Sequence, residues 1–228
     1  MVKKLIPHTI NDLYRNYFEE VYDFTNAANY KLSRTSSGIV FKNLASTGGK
    51  PLIDMGIPNR TIDDIKKEGL NVSGYNISFT PPNGITKYTL CLIFYHWRNR
   101  TFGLYKRDTN GRSIILRLYY SFIRRNTISL VVNNVRSQLT MPSDFNGKKI
   151  VIWLAEDFRQ NITEVKISNY SAILSLPIVR YTNEQEFEFT TEDGVLSKIM
   201  FSPNFYDTDS EQYHKVLLQE KLNGSYIV

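Results

Sequence analysis

Glu184, Glu186 and Glu188 stand at alternate positions of the segment Glu184-Gln-Glu-Phe-Glu-Phe189. Residues two apart on a strand share a face, so a strand here would align three carboxylates. Glycoside hydrolysis with retention needs two carboxyl groups about 5–5.5 Å apart, one of them with a raised pKa. The interleaved Phe187 and Phe189 offer a plainer account, in which phenylalanines face a core and glutamates face water. Asp207 and Asp209 form an Asp-x-Asp beside Asn204, a ligand type that suits Ca²⁺. The same carboxylates suit a helix N-terminus, and Thr208-x-x-Glu211 marks one as a capping box, so no metal is expected.

Other catalytic sets are missing from the sequence. His8, His96 and His214 are scattered, and Cys91 and His96 lie five apart on a strand-like segment, which puts them on opposite faces. There is no glycine-rich phosphate loop. No catalytic residue, cofactor or metal is expected, and a non-enzymatic role is the reading.

The basic residues carry more information. Between Arg98 and Arg125 lie Arg98, Arg100, Lys106, Arg107, Arg112, Arg117, Arg124 and Arg125 against Asp108 alone, a local charge of +7 where the whole chain carries +6. Tyr105, Tyr119 and Tyr120 lie among them. Arginine forks bind carboxylates and sulfates bidentately, and their planes stack on aromatic rings. The candidate ligand-binding set is Arg98, Arg100, Arg107, Arg117, Arg124, Arg125 and Tyr119, although arginines also solubilise sheet edges and loops. Nucleic acid would profit from the same charge, but no helix-turn-helix, RRM or zinc-finger signature accompanies it.

The elements that would position these residues are mostly strands. Tyr88–Trp97, Thr101–Lys106, Ser113–Ser121, Thr127–Asn133, Lys148–Ala155, Glu164–Ile167, Ala172–Leu176 and Val195–Phe201 recur with turn-forming residues between them, as in an antiparallel sandwich or barrel. Gly38–Leu44 and Asn71–Thr80 also read as strands. A helix is expected over Ile10–Phe24, opened by Thr9 and Asp12, with Tyr14, Tyr17, Phe18 and Val21 on an aromatic stripe. That stripe either packs on the sandwich or docks another chain, and Tyr14, Tyr17, Phe18 and Val21 are the candidate oligomerisation or docking residues. A second helix is expected over Glu211–Leu222, ended by Asn223-Gly224. The division is residues 1–30 as helix and linker, and residues 31–228 as one sandwich domain.

The chain holds one cysteine, Cys91, so no intramolecular disulfide forms, and intracellular folding is expected. No run of 18 apolar residues suggests a membrane span, and Lys3 and Lys4 are not followed by an apolar secretory segment. Seven Asn-X-Ser/Thr sequons, from Asn59 to Asn223, read as a product of composition.

From Tyr75 to Val228 the order of pieces resembles the concanavalin A-like lectin/glucanase superfamily, laminin G-like sandwiches above all. The carrying segments are Tyr88-Thr-Leu-Cys-Leu-Ile-Phe-Tyr-His-Trp97, Phe145-Asn-Gly-Lys-Lys-Ile-Val-Ile-Trp153, and Gly194–Phe205 followed by Asp207–Leu222. The resemblance implies an all-β fold: a jelly-roll sandwich of two antiparallel sheets, with short N- and C-terminal helices. Laminarinase-like members carry Glu-x-Asp-x-Glu on one strand, which the Glu184–Glu188 segment departs from at its middle residue. Laminin G-like relatives commonly bind acidic or sulfated glycans. Secreted members normally have a signal sequence and often a disulfide, unlike this chain, whereas fibre and particle proteins assembled inside a host cell need neither.

The expected function is therefore recognition or attachment on a virus-like fibre or capsid, binding acidic glycans or a protein receptor. Such a protein would fold in the host cytoplasm or nucleus, oligomerise (a trimer is one option) or join capsid proteins, and sit on the particle surface. A structural capsid component and a divergent glycoside hydrolase of the same fold are the alternatives.

Overall fold

The computed structural model describes residues 14, 16–25, 29–32, 39–45, 52–54, 65–66, 69–71, 84–96, 102–108, 111–120, 127–132, 135–140, 149–168, 170–174, 186–191 and 194–222. Sixteen strands and one helix lie among them, in the order β1 (Glu20–Asp23), β2 (Tyr30–Leu32), β3 (Ile39–Phe41), β4 (Leu52–Asp54), β5 (Ile65–Lys66), β6 (Gly69–Asn71), β7 (Lys87–His96), β8 (Phe102–Asp108), β9 (Gly111–Tyr120), β10 (Thr127–Val132), β11 (Val135–Thr140), β12 (Lys149–Asp157), β13 (Ile162–Ile167), β14 (Tyr170–Leu174), β15 (Glu186–Thr191), β16 (Gly194–Ser202) and α1 (Glu211–Leu222). The expected class, an all-β fold of antiparallel sheets, is what the structure shows. The described helix is the C-terminal one.

The larger sheet runs β14-β13-β12-β7-β16-β6-β5, and β1 pairs with β16. Its centre, β7, β12 and β16, is nearly continuous in Leu, Ile, Val and Phe. Such sequences suit strands covered on both faces, and both faces are buried. One face carries the rows Ile150–Phe94–Leu196, Ile152–Leu92–Ile199–Tyr22 and Leu154–Leu90–Phe201. Its opposite carries Val151–Ile93–Lys198–Asp23 and Trp153–Cys91–Met200–Val21.

The second face is closed by α1 and by the segment around Tyr14 and Phe18. Tyr213, Val216 and Leu217 of the helix join Tyr14, Phe18, Leu44, Cys91, Ile93, Val151 and Trp153 in one apolar cluster. Trp153 sits at its centre, with Phe18 edge-on at 5.9 Å and Tyr213 edge-on at 5.3 Å between ring centroids. Edge-to-face pairs at such separations gain beyond the area they bury.

The N-terminal helix expected over Ile10–Phe24 does not extend to Phe24. The Phe18 N–H donates to the Tyr14 carbonyl at 3.0 Å, and the chain enters β1 at Glu20. The reason is burial on two sides. Val21 and Tyr22 face opposite sides of the sheet and both are buried, so neighbouring apolar residues are used by a strand where a helix would have used one stripe. The β1–β16 pairing makes residues 20–23 part of the main sheet.

One glycine is obligatory. Gly69 opens β6 at φ 136°, and a Cβ there would come within 2.3 Å of the Leu196 carbonyl oxygen. β6 can therefore approach β16 only without a side chain at this position.

A second sheet runs β11-β10-β9-β8-β15, and β2-β3-β4 form a third of three strands. Phe41 of β3 meets Phe24, just after β1, edge-on at 4.6 Å, and both are buried.

Candidate functional site

The five-stranded sheet is amphipathic by register. Arg112 pairs with Arg107, which pairs with Glu186. Ile114 pairs with Tyr105, which pairs with Glu188. Gly103 lies between Thr190 and Arg117, and that row continues through Val131 to Arg136. Tyr119 shares its row with Ser129 and Gln138. All four rows fall on one face, since directly opposed residues share a side and alternate positions repeat it.

The other face is mostly apolar, though Lys106, paired with Phe187 and Ser113, also falls on it. Phe189 pairs with Leu104 and Leu104 with Leu116. Leu118, Leu130 and Ser137 form another row, and Tyr120, Ile128 and Leu139 a third.

A β-bulge between Ile114 and Leu116 decides which arginines gather. Arg112 and Arg117 are five apart, an odd spacing that would set them on opposite sides of a regular strand. The extra residue shifts the alternation by one, so both fall on the polar face with Arg107. Of the candidate residues, Arg107, Arg117 and Tyr119 share this face, while Arg98, Arg100, Arg124 and Arg125 lie outside the described residues. Arg136 and Gln138 were missed in the sequence, although the alternation Val135-Arg136-Ser137-Gln138 is a legible signal once the strand is known.

The carboxylate strand has the character of a half-polar strand. Glu186 and Glu188 share the polar face, and Phe187 and Phe189 take the other. Glu184 lies outside the described residues.

The aromatic stripe of the N-terminal segment lies elsewhere. Tyr14, Phe18 and Val21 are buried within the chain's own core, and Tyr17 packs against it partly buried. Tyr17 Oη accepts from Lys215 Nζ at 2.7 Å, with the ammonium also 5.2 Å from the ring centroid. These contacts account for the stripe inside one chain.

A buried polar cluster sits behind that stripe. Glu220 of α1 accepts from Lys198 Nζ at 2.5 Å and from Tyr14 Oη at 2.7 Å, both on Oε1. Its Oε2 has no hydrogen bond and lies 3.9 Å from Lys149 Nζ. Burial pushes the Tyr14 hydroxyl far above its usual range, and the Glu220 charge and hydrogen bond add to that. Burial likewise pushes the Cys91 thiol well above its ordinary value, with Glu220 adding and Lys198 opposing. A thiol so placed is inert.

The start of α1 is built differently from the expected capping box. Ser210 is the cap: its Oγ accepts from the Tyr213 N–H at 3.3 Å and donates to the Asp207 carbonyl at 2.7 Å. Thr208 is instead bound to the sheet through its backbone, its N–H donating to Glu164 Oε2 at 2.8 Å and its carbonyl accepting from Lys166 Nζ at 3.0 Å. Asp207 Oδ1 accepts from the Asp209 N–H at 3.0 Å, and Asp209 pairs with Lys166 at 3.1 Å. Among the described residues no group of three or more His, Cys, Asp or Glu could hold a metal ion, and no described helix is long and apolar enough to cross a membrane.

No protein-family model matches this chain, and no curated protein is similar to it in sequence. Solved structures similar to it include sheep galectin-11 in complex with glycerol, at 12% identity and TM-score 0.40 over 57% of this chain and 98% of that one. The metal-free carbohydrate recognition domain of Emp46p is similar at 8% identity and TM-score 0.47, over 62% and 85%. A legume lectin-like domain from Entamoeba histolytica is similar at 7% identity and TM-score 0.46, over 60% and 85%. At these values the likeness assigns neither a family nor a ligand.

Proposed function

We propose that this protein is a non-enzymatic, lectin-like recognition module of jelly-roll type that binds acidic glycans on the polar face of its five-stranded sheet. The observation that carries the reading is the shared face of Arg107, Arg112, Arg117 and Arg136 with Tyr105 and Tyr119. Guanidinium forks suit carboxylates and sulfates, tyrosines offer flat apolar area to a sugar ring, and Ser129 and Gln138 add neutral hydrogen-bonding groups. Against a hydrolase stands the alternation of Glu186 and Glu188 with two phenylalanines, which gives the glutamates the polar half of an amphipathic strand.

The biological setting we propose is attachment of a virus-like fibre or particle, with folding inside the host cell. A single, buried cysteine is compatible with assembly in a reducing compartment. Capsid partners and a homo-oligomer belong to the same proposal.

A glycan array with the intact protein tests the binding reading. Acidic glycans should be retained over their neutral counterparts, and Arg117→Glu should abolish retention while leaving the melting temperature nearly unchanged. Retention indifferent to Arg117→Glu refutes a role for the face. Cleavage of a β-glucan that disappears in Glu188→Gln would replace this reading with the hydrolase.

A further inference from the structure

Resting on the glycan reading above, we infer that the face selects oligosaccharides carrying one carboxylate among neutral sugars, such as a terminal sialic or uronic acid, over densely sulfated polymers. The row Gly103–Arg117–Val131–Arg136 would be the carboxylate subsite.

The argument is the distribution of charge across the rows. Glu186 and Glu188 both lie on β15, at one edge of the described sheet, while Arg136 lies on β11 at the other. Strands about 4.8 Å apart put those edges about 19 Å from one another. The row that begins at Glu186 pairs Arg107 with an acid, and Arg112 follows one strand further on. By contrast, the row from Thr190 to Arg136 holds two arginines and no acid. Positive charge is therefore in excess at one place on the face and offset at another.

A dense polyanion laid across the sheet meets both arginines and glutamates, and like charges brought together across an interface are costly. A ligand with a single carboxylate avoids this. Its anionic group suits the Arg117–Arg136 row, whose two register positions are about 10 Å apart, and its neutral hydroxyls can donate to carboxylates, which only accept. Gly103 leaves room in the same row. A glycine in a strand carries no side chain to pack, and this one is paired with Arg117.

The test compares three probes on the unmodified, full-length chain: sialyllactose, lactose, and a heparin tetrasaccharide, each titrated at near-physiological salt. Sialyllactose should bind about ten-fold or more tighter than lactose, the scale of one charge-assisted hydrogen-bonded pair, and tighter than the heparin probe. Arg117→Gln and Gly103→Val should each bring sialyllactose down to the lactose level. The Glu186→Gln/Glu188→Gln double variant should raise heparin binding. A heparin tetrasaccharide that outbinds sialyllactose on the unmodified chain overturns this inference and leaves the acidic-glycan reading standing. Equal binding of all three probes overturns both. Sialyllactose binding indifferent to Arg117→Gln and Gly103→Val overturns the assigned subsite.

Discussion

Lys198 on β16 and Glu220 on α1 meet as an ion pair in the interior, Nζ to Oε1 at 2.5 Å, with 3% and 0% of their side chains exposed. Two charges taken out of water are compensated only by each other and by the hydrogen bonds around them. Tyr14 supplies one such bond from the opposite end of the chain.

Removing one partner should therefore cost more than removing both. Glu220→Ala is expected to destabilise by about 3–5 kcal/mol, because Lys198 is left charged and buried. The Lys198→Met/Glu220→Leu pair should restore much of that loss. Denaturant unfolding of the three proteins measures it, and a double variant as unstable as the single one would show that the charges contribute more than their desolvation.

Alkaline pH should weaken the fold through Tyr14 and Cys91. Both ionise in the folded protein well above their ordinary values of 10.0 and 9.0. Above about pH 9 the unfolded chain holds fewer protons than the folded one, so stability falls as pH rises, and below it these two groups contribute no slope. Each fully titrating group adds about 1.4 kcal/mol per pH unit. Urea midpoints between about pH 8 and pH 10.5 should fall progressively, and Tyr14→Phe should flatten the upper part of the curve. A midpoint constant to pH 10.5 contradicts the prediction.

Gly69→Ala is expected to be among the most damaging small changes. The added methyl would meet the Leu196 carbonyl, and φ 136° is unfavourable for any L side chain. A loss of about 2 kcal/mol or more follows from backbone strain alone, read as a lowered melting temperature. A neutral outcome would mean that β6 can separate from β16 without cost.

At the helix start, Ser210→Ala should cost about 1 kcal/mol, the usual value of an N-cap hydroxyl. Thermal unfolding measures it directly. No change on this substitution would mean that the Ser210 hydroxyl adds nothing to the helix.

Much of the fold was legible. The strand read at Tyr88–Trp97 is β7 within a residue at each end, and the helix read at Glu211–Leu222 has those bounds. These segments are long, and their periodicity is plain. β1 was misread because Val21 and Tyr22, buried on opposite faces of a sheet, continue the apolar spacing of Tyr14, Tyr17 and Phe18 as a helical stripe would. The gathering of arginines was legible as composition alone. Which of them share a face depends on the bulge near Ile114 and on pairings between β8, β9 and β15, and neither follows from local sequence.

Tyr14 and Glu220 are 206 residues apart, and both help close the same flank of the main sheet. A ribosome must therefore release α1 before Trp153 and its neighbours are covered. Until then the nascent product presents greasy surface to chaperones and proteases, and a premature stop before residue 211 would yield material destined for degradation.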